Sequence, residues 1–150
     1  MKLIVSKIWK KLPQWLRLRI IRATQHKFTA SVVAIIKNEN GEVLLLEHLL
    51  RPASGWGLPG GFLMPYEQPE DGIRRELREE TGLELSNVKH LRTRVLRRHV
   101  EILFTARSAG EGHVGSNEIL QVRWFAIEEI PPELNADQQS LIREVFRGKV

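Results

Sequence analysis

Three glutamates crowd one short stretch of this chain. Glu76, Glu79 and Glu80 fall at i, i+3 and i+4, so a helix through them sets all three on one face, where like charges repel. A hard divalent cation relieves that repulsion: Mg²⁺ (or Mn²⁺) takes oxygen ligands and is commonly held by a few carboxylates plus substrate phosphates rather than by a full protein cage. Glu76 and Glu80, one turn apart, are the first choice for metal ligands. Glu79 either binds a second ion or orients and deprotonates an attacking water. That chemistry suits a pyrophosphate bond, which resists hydrolysis because negative charge shields its phosphorus; a metal neutralises the phosphate oxygens and lowers the pKa of bound water. Arg51, just ahead of Pro52, reads either as an exposed loop charge beside His48 or as a group that reaches a substrate phosphate. Arg92, Arg94, Arg97 and Arg98 form a basic run, explained by a solvated strand face or by a phosphate-facing cluster opposite the acidic helix, with Arg97 and Arg98 as its substrate-binding candidates.

The helix that must carry the glutamates has its ends written in the sequence. Pro69 with Glu70 and Asp71 suits a first turn, where a missing amide costs nothing and the helix dipole favours acid, and Gly82 suits the stop. Just before it, Gly60 and Gly61 are a pair suited to a backbone that turns tightly or lets a ligand come close. Trp56 reads as sheet packing rather than a base-stacking platform. The spacing of Gly61, five residues, Glu67, seven residues, then Arg75-Glu76-Leu77-Arg78-Glu79-Glu80-Thr81-Gly82-Leu83 resembles the complete signature of the Nudix hydrolases, with every fixed position filled. About nine residue choices at fixed offsets must be met, which makes the match far more specific than a lone glycine fingerprint.

The resemblance extends through residues 56–60 and Trp124-Phe125, covering residues 28–130. It implies an α/β fold, an α/β/α sandwich around a central mixed sheet. It also implies metal-dependent hydrolysis of a nucleoside diphosphate linked to another group, whether a nucleoside triphosphate, a nucleotide sugar or ADP-ribose. By the same resemblance the backbone carbonyl of Gly60 is a metal ligand, and Arg75 pairs with Glu67 to fix the loop against the helix. Glu118 resembles the family's acidic residue supplied from outside the signature, and so stands beside Glu79 as a candidate catalytic base. Markers of particular substrates are not recognisable. The runner-up reading is a catalytically silent domain that senses a nucleotide; missing signature glutamates would favour it, and none is missing.

The rest of the chain reads as supporting structure. Residues 28–37 and 42–47 are apolar, joined by Asn38-Glu39-Asn40-Gly41, and give a hairpin signal. Strands are expected at 85–96, 99–106 and 119–126, with a Gly-rich loop at 108–117 of the kind that borders active sites. A short acidic turn at 127–134 precedes a last helix at 136–147 with Leu141, Ile142, Val145 and Phe146 inward. Strands alternating with helices suggest a sheet between helical layers.

Composition bounds the remainder. The 150 residues fit one domain with a real core, read as a Nudix domain at 28–150 behind a basic amphipathic helical extension at 1–27. There is no cysteine, which excludes disulfides and thiolate metal sites. No apolar run approaches the roughly 18 to 20 residues of a spanning helix, and no secretory leader is recognisable, so a cytoplasmic location is expected. The net charge of +5 is misleading: residues 1–28 hold eight basic residues and no acid, against 15 basic and 18 acidic in the rest. Leu12, Leu16 and Ile20 recur at i+4 steps with Trp15 alongside, in two short helices broken near Pro13. That leader packs on the catalytic domain or a partner subunit, as in a homodimer, or rests on an anionic membrane surface, which would make the protein peripheral at the inner membrane; nucleic acid is the least favoured partner.

Overall fold

The computed structural model describes Ser6 and residues 9–51 and 55–148. The first of the two expected leader helices therefore lies largely outside the described residues. The second is present as α1, Gln14–Thr24, with Pro13 at its N-cap; Leu12 and Leu16 are half-buried, and no side chain of α1 is fully buried.

Beyond α1, seven strands form one sheet: β1 Thr29–Lys37, β2 Val43–His48, β3 Trp56–Gly57, β4 Gly60–Phe62, β5 Ser86–Leu96, β6 His99–Arg107 and β7 Ile119–Phe125. Two further helices complete it, α2 Pro69–Thr81 and α3 Ala136–Phe146, with a 3₁₀ turn at Ile127–Glu129. The path runs β3-β2-β1-β6-β5, with β4 also on β1 and β7 also on β2. β1 and β6 run parallel from Thr29↔His99 to Lys37↔Arg107, and the other pairings are antiparallel, so the sheet is mixed.

The pleat sorts the core into two layers. Val32, Ala34 and Ile36 of β1 and Leu44 and Leu46 of β2 pack with Ile73 and Leu77 of α2. Their sequence neighbours Ile35, Val43 and Leu45 turn the opposite way and pack with Leu141 and Ile142 of α3. Alternate residues thus serve opposite layers, which explains why β1 and β2 read as unbroken apolar runs: both faces are covered. The result is the α/β/α sandwich.

The expected hairpin of β1 and β2 is reduced to one pair, Lys37↔Val43. Its turn is sound, since Asn38 Oδ1 accepts from the Glu42 amide at 2.9 Å and Gly41 takes φ +79°. The strands then part. β4 occupies the flank of β1, pairing Val33↔Gly60, Val32↔Gly61 and Ser31↔Phe62, while β2 pairs with β3 and with β7 along Val43↔Phe125 to His48↔Ile119. The divided sheet brings Gly60 and Gly61 under α2.

Candidate functional site

Helix α2 has the ends its sequence promises. Pro69 occupies its first turn with Glu70 and Asp71, and Gly82 closes it at φ +69°. Ile73 and Leu77 anchor it to the sheet with no exposed surface, which fixes the rotation of the helix. Glu76, Glu79 and Glu80 are then presented to an open cleft of about 740 Å³, lined also by His48, Arg51, Gly60, Gly61, Arg75 and Glu118.

Arg75 is the hub of this face. Its Nε and Nη2 donate to the two oxygens of Glu67 at 2.7 and 2.9 Å, and Nη2 also donates to the Phe62 carbonyl at 3.2 Å. Glu67 in turn accepts from the Met64 amide at 2.9 Å, so the segment after β4 is tied to α2. Bonding to Arg75, helped by that amide, pulls the Glu67 carboxyl down to about 2, and the same contact raises the Arg75 guanidinium. Arg75 does more than pair with Glu67. Its Nη1 also donates to Glu76 at 2.8 Å and Glu79 at 3.2 Å, so it neutralises part of the charge that the glutamate spacing concentrates.

The three glutamates differ in environment. Glu79 is the most open, with 55% of its side chain exposed, whereas the Glu76 side chain is mostly covered and Glu80 is buried. Burial, then the charge of Glu76, pushes the Glu80 carboxyl up to about 8, against a hydrogen bond from the Gly60 backbone and the charge of Arg51. Glu80 Oε2 is buried without a hydrogen-bond partner among the described residues. Gly61 makes room for Glu76: a Cβ there would lie 2.3 Å from its carboxylate. Gly60, at φ +151°, admits none either, since a Cβ would meet the Val32 carbonyl oxygen at 2.2 Å.

These features fit a divalent cation. An orphaned buried carboxylate oxygen, a second carboxylate on the preceding turn and the adjoining Gly60 backbone are hard oxygen donors of the kind Mg²⁺ and Mn²⁺ take. Among the described residues no three acidic or histidine side chains already converge at ligand distance, because Arg75 holds Glu76 and Glu79. An ion would compete with that guanidinium.

Opposite α2, His48 and Arg51 are not the exposed loop charges their sequence context allowed. His48 closes β2, and both are half-buried in the cleft wall. Arg51 lies flat over Gly57, where a Cβ would fall 1.1 Å from Nη1. Burial, with the charge of Arg51, depresses the His48 imidazole to about 4, so it is neutral. Arg51 Nη1 and His48 Nε2 are both buried without partners among the described residues.

Glu118 reaches the cleft through the Gly-rich loop. The His113 amide donates to the Thr81 carbonyl at 3.0 Å and the Gly115 amide to the Glu80 carbonyl at 2.8 Å, so this loop caps the C-terminus of α2. Ser116 and Asn117, the last residues of the loop expected to border the site, accompany Glu118. Arg97 and Arg98 are elsewhere. They form the exposed β5–β6 turn and do not line the cleft, while Arg92 and Arg94 turn to the α3 layer, where they pair with Glu144 and with Glu101 and Asp137. The basic run therefore divides between a turn and a helix contact: Arg92 and Arg94, two residues apart, share the face of β5 that meets α3, and the turn lies beyond the sheet.

Fold and site together define a class: an α/β/α sandwich whose signature helix lays carboxylates along a divided mixed sheet. The chain belongs to the Nudix family, whose NUDIX domain model matches residues 27–145. It is 33% identical over 108 residues to a MutT-like protein of Streptomyces ambofaciens, covering 68% of this chain and 66% of that one. To an RNA pyrophosphohydrolase of Pseudomonas savastanoi it is 41% identical over 64 residues, covering 43% and 39%. The chain thus spans less than two thirds of either relative. The NUDIX domain of Shewanella oneidensis NrtR, solved with ADP ribose, superposes with a TM-score of 0.75 at 24% identity, covering 93% of this chain and all of that domain, which shows the shared fold. Nudix enzymes in general use divalent metal ions.

Proposed function

We propose that the chain is a pyrophosphohydrolase that adds water across the P–O–P linkage of a nucleoside diphosphate joined to another group. The products are a nucleoside monophosphate and a second phosphate-bearing fragment, or pyrophosphate where the substrate is a triphosphate. One observation carries this reading: four carboxylates of graded burial, the unpartnered Arg51 Nη1 donor and the unpartnered Nε2 of His48 wall a single cleft. The names of the relatives, a MutT-like protein and an RNA pyrophosphohydrolase, agree with the reaction class.

Glu76, Glu80 and the Gly60 carbonyl would hold Mg²⁺ or Mn²⁺, which would supply neutralisation of phosphate oxygens and lower the pKa of a water. Glu79 is the open carboxylate of the set and accepts the proton of the attacking water, with Glu118 across the cleft as the other group able to do so. Arg51 donates to a substrate phosphate oxygen, and neutral His48 adds a second contact through Nε2. Arg75 and Glu67 position the helix and do not react. Arg97 and Arg98 take no part, since the turn lies outside the cleft lining.

The test is hydrolysis by the full chain with Mg²⁺ or Mn²⁺ of a panel spanning nucleoside triphosphates, nucleotide sugars, ADP-ribose and triphosphate-ended RNA. Turnover of at least one is expected, with Glu79→Gln lowering kcat about a hundredfold or more at little change in KM. No turnover of any substrate, together with equal binding by Glu79→Gln, would sink the proposal in favour of a domain that only binds.

A further inference from the structure

Exposed apolar side chains collect where β1 begins. The register sets Leu96 beside His99 and Thr29, Val95 beside Val100, and Phe62 beside Ser31. Val95, Leu96, Phe62 and Phe28, which precedes Thr29, therefore share one end of the sheet, each about half exposed or more. Arg97 and Arg98 form the turn at this end and Lys27 adjoins Phe28; none of the three makes an ion pair among the described residues.

Helix α1 leads into the same end through residues 25–28. Its half-buried Leu16 points away from an outer face on which Trp15, Leu18 and Ile21 follow at i, i+3 and i+6, with exposures of 63%, 44% and 42%. Arg19 and Arg22, four and seven residues after Trp15, fall on that outer face too.

We infer that this end of the molecule docks on an anionic lipid surface, with α1 lying along the headgroups and the β5–β6 turn entering beside it. Tryptophan and aliphatic side chains interleaved with arginines, and no acid in residues 1–28, are what an interfacial site rewards. The apolar groups bury into the acyl boundary while the arginine stems carry their charge back to the lipid phosphates. A single-stranded nucleic acid would use the cations and the aromatic rings, but Leu18, Ile21, Val95 and Leu96 offer it nothing to stack on. A second copy of the chain would set these unpaired cations against their own kind. Charge complementarity thus selects the lipid. Phe62 belongs both to this end and to the rim of the cleft, so the mouth of the site borders the docked face.

The experiment is cosedimentation of the full chain with phosphatidylcholine vesicles containing phosphatidylglycerol, and with phosphatidylcholine alone. Partition into the anionic vesicles only, weakening with salt, is expected, together with a blue shift of tryptophan emission that Trp15→Phe diminishes. Arg19→Gln/Arg22→Gln should lower the partition coefficient about fivefold per cation removed. Val95→Ser/Leu96→Ser should lower it as well while the circular dichroism of the free protein is unchanged. Equal partition into neutral vesicles, or none into either kind, overturns the inference. So does retention by a single-stranded RNA oligonucleotide without vesicle binding, or a dimeric sedimentation mass that the Val95→Ser/Leu96→Ser variant loses.

Discussion

Arg75 holds three carboxylates at once, and this makes one part of the acid sensitivity of the fold assignable to a single residue. The Glu67 carboxyl stands at about 2 against an ordinary value of 4.5, so the folded state binds the proton less readily than the unfolded chain. A group whose pKa is depressed by folding contributes stability that is complete above the unfolded value and lost as pH falls toward the folded one. The contribution of Glu67 is therefore lost between pH 4.5 and about 2. Thermal unfolding of wild type and Glu67→Gln across that window should show wild type ahead at its upper end and the gap closing as pH falls. A gap that stays constant with pH would remove the ion pair from the account. The pairing of Arg75 with Glu67 is legible in the signature, but its bonds to Glu76 and Glu79 are not, because the repulsion among the glutamates is relieved equally well by a metal or by a guanidinium. The i to i+4 spacing of Arg75 and Glu79 was the available signal.

Local chemistry made the elements readable, and long-range pairing did not. Helix α2 needs only Pro69, its acids and Gly82, all within the element and its caps, so its ends follow from sequence. The β1–β2 hairpin failed to extend because β4 arrives from later in the chain to take the flank of β1, a competition no turn residue announces. The composition of residues 108–117 announces a loop near a site, yet its grip on α2 is not legible there, since it acts through backbone amides that every residue type carries. Gly115 is where that grip is tightest: a Cβ there would lie 2.4 Å from the Glu79 carbonyl oxygen and 3.1 Å from the Glu80 carbonyl carbon, both of them backbone atoms that cannot swing aside. Gly115→Ala should lift the loop from the helix end and carry Glu118 out of position. Given the proposed hydrolase reaction, a displacement of about 1 Å in a catalytic group costs on the order of a hundredfold. The expected result is a matching fall in kcat with near-native circular dichroism. Wild-type kcat in this variant would mean that the loop does not position Glu118.

At the scale of the whole molecule, the cleft and the core are one mechanical unit. Ile73 and Leu77 bury the inner face of α2 in the layer that also holds Val32, Leu44 and Phe104, so whatever secures the outer face of the helix secures that layer. Glu80 works against this: its carboxyl is raised to about 8 from 4.5, so the folded state binds a proton that the unfolded chain releases. The sign is opposite to that of Glu67. In metal-free protein the stability associated with Glu80 is complete below pH 4.5 and is lost as pH rises through about 8. A cation held by Glu80 needs the ionised form, so its binding releases that proton and strengthens as pH rises. An ion at a hundred times its Kd adds about 2.7 kcal/mol, roughly 5 to 10 °C in Tm for a chain of this size. Mn²⁺ should therefore raise Tm by about that much near pH 8, and by clearly less at lower pH. Glu76→Gln/Glu80→Gln should flatten both the metal-free decline and the response to the ion. Scanning calorimetry with and without Mn²⁺ reads both slopes on the same samples. If Mn²⁺ moves Tm equally at every pH, or moves the double variant as far as wild type, the ion binds elsewhere and these two glutamates are not its ligands.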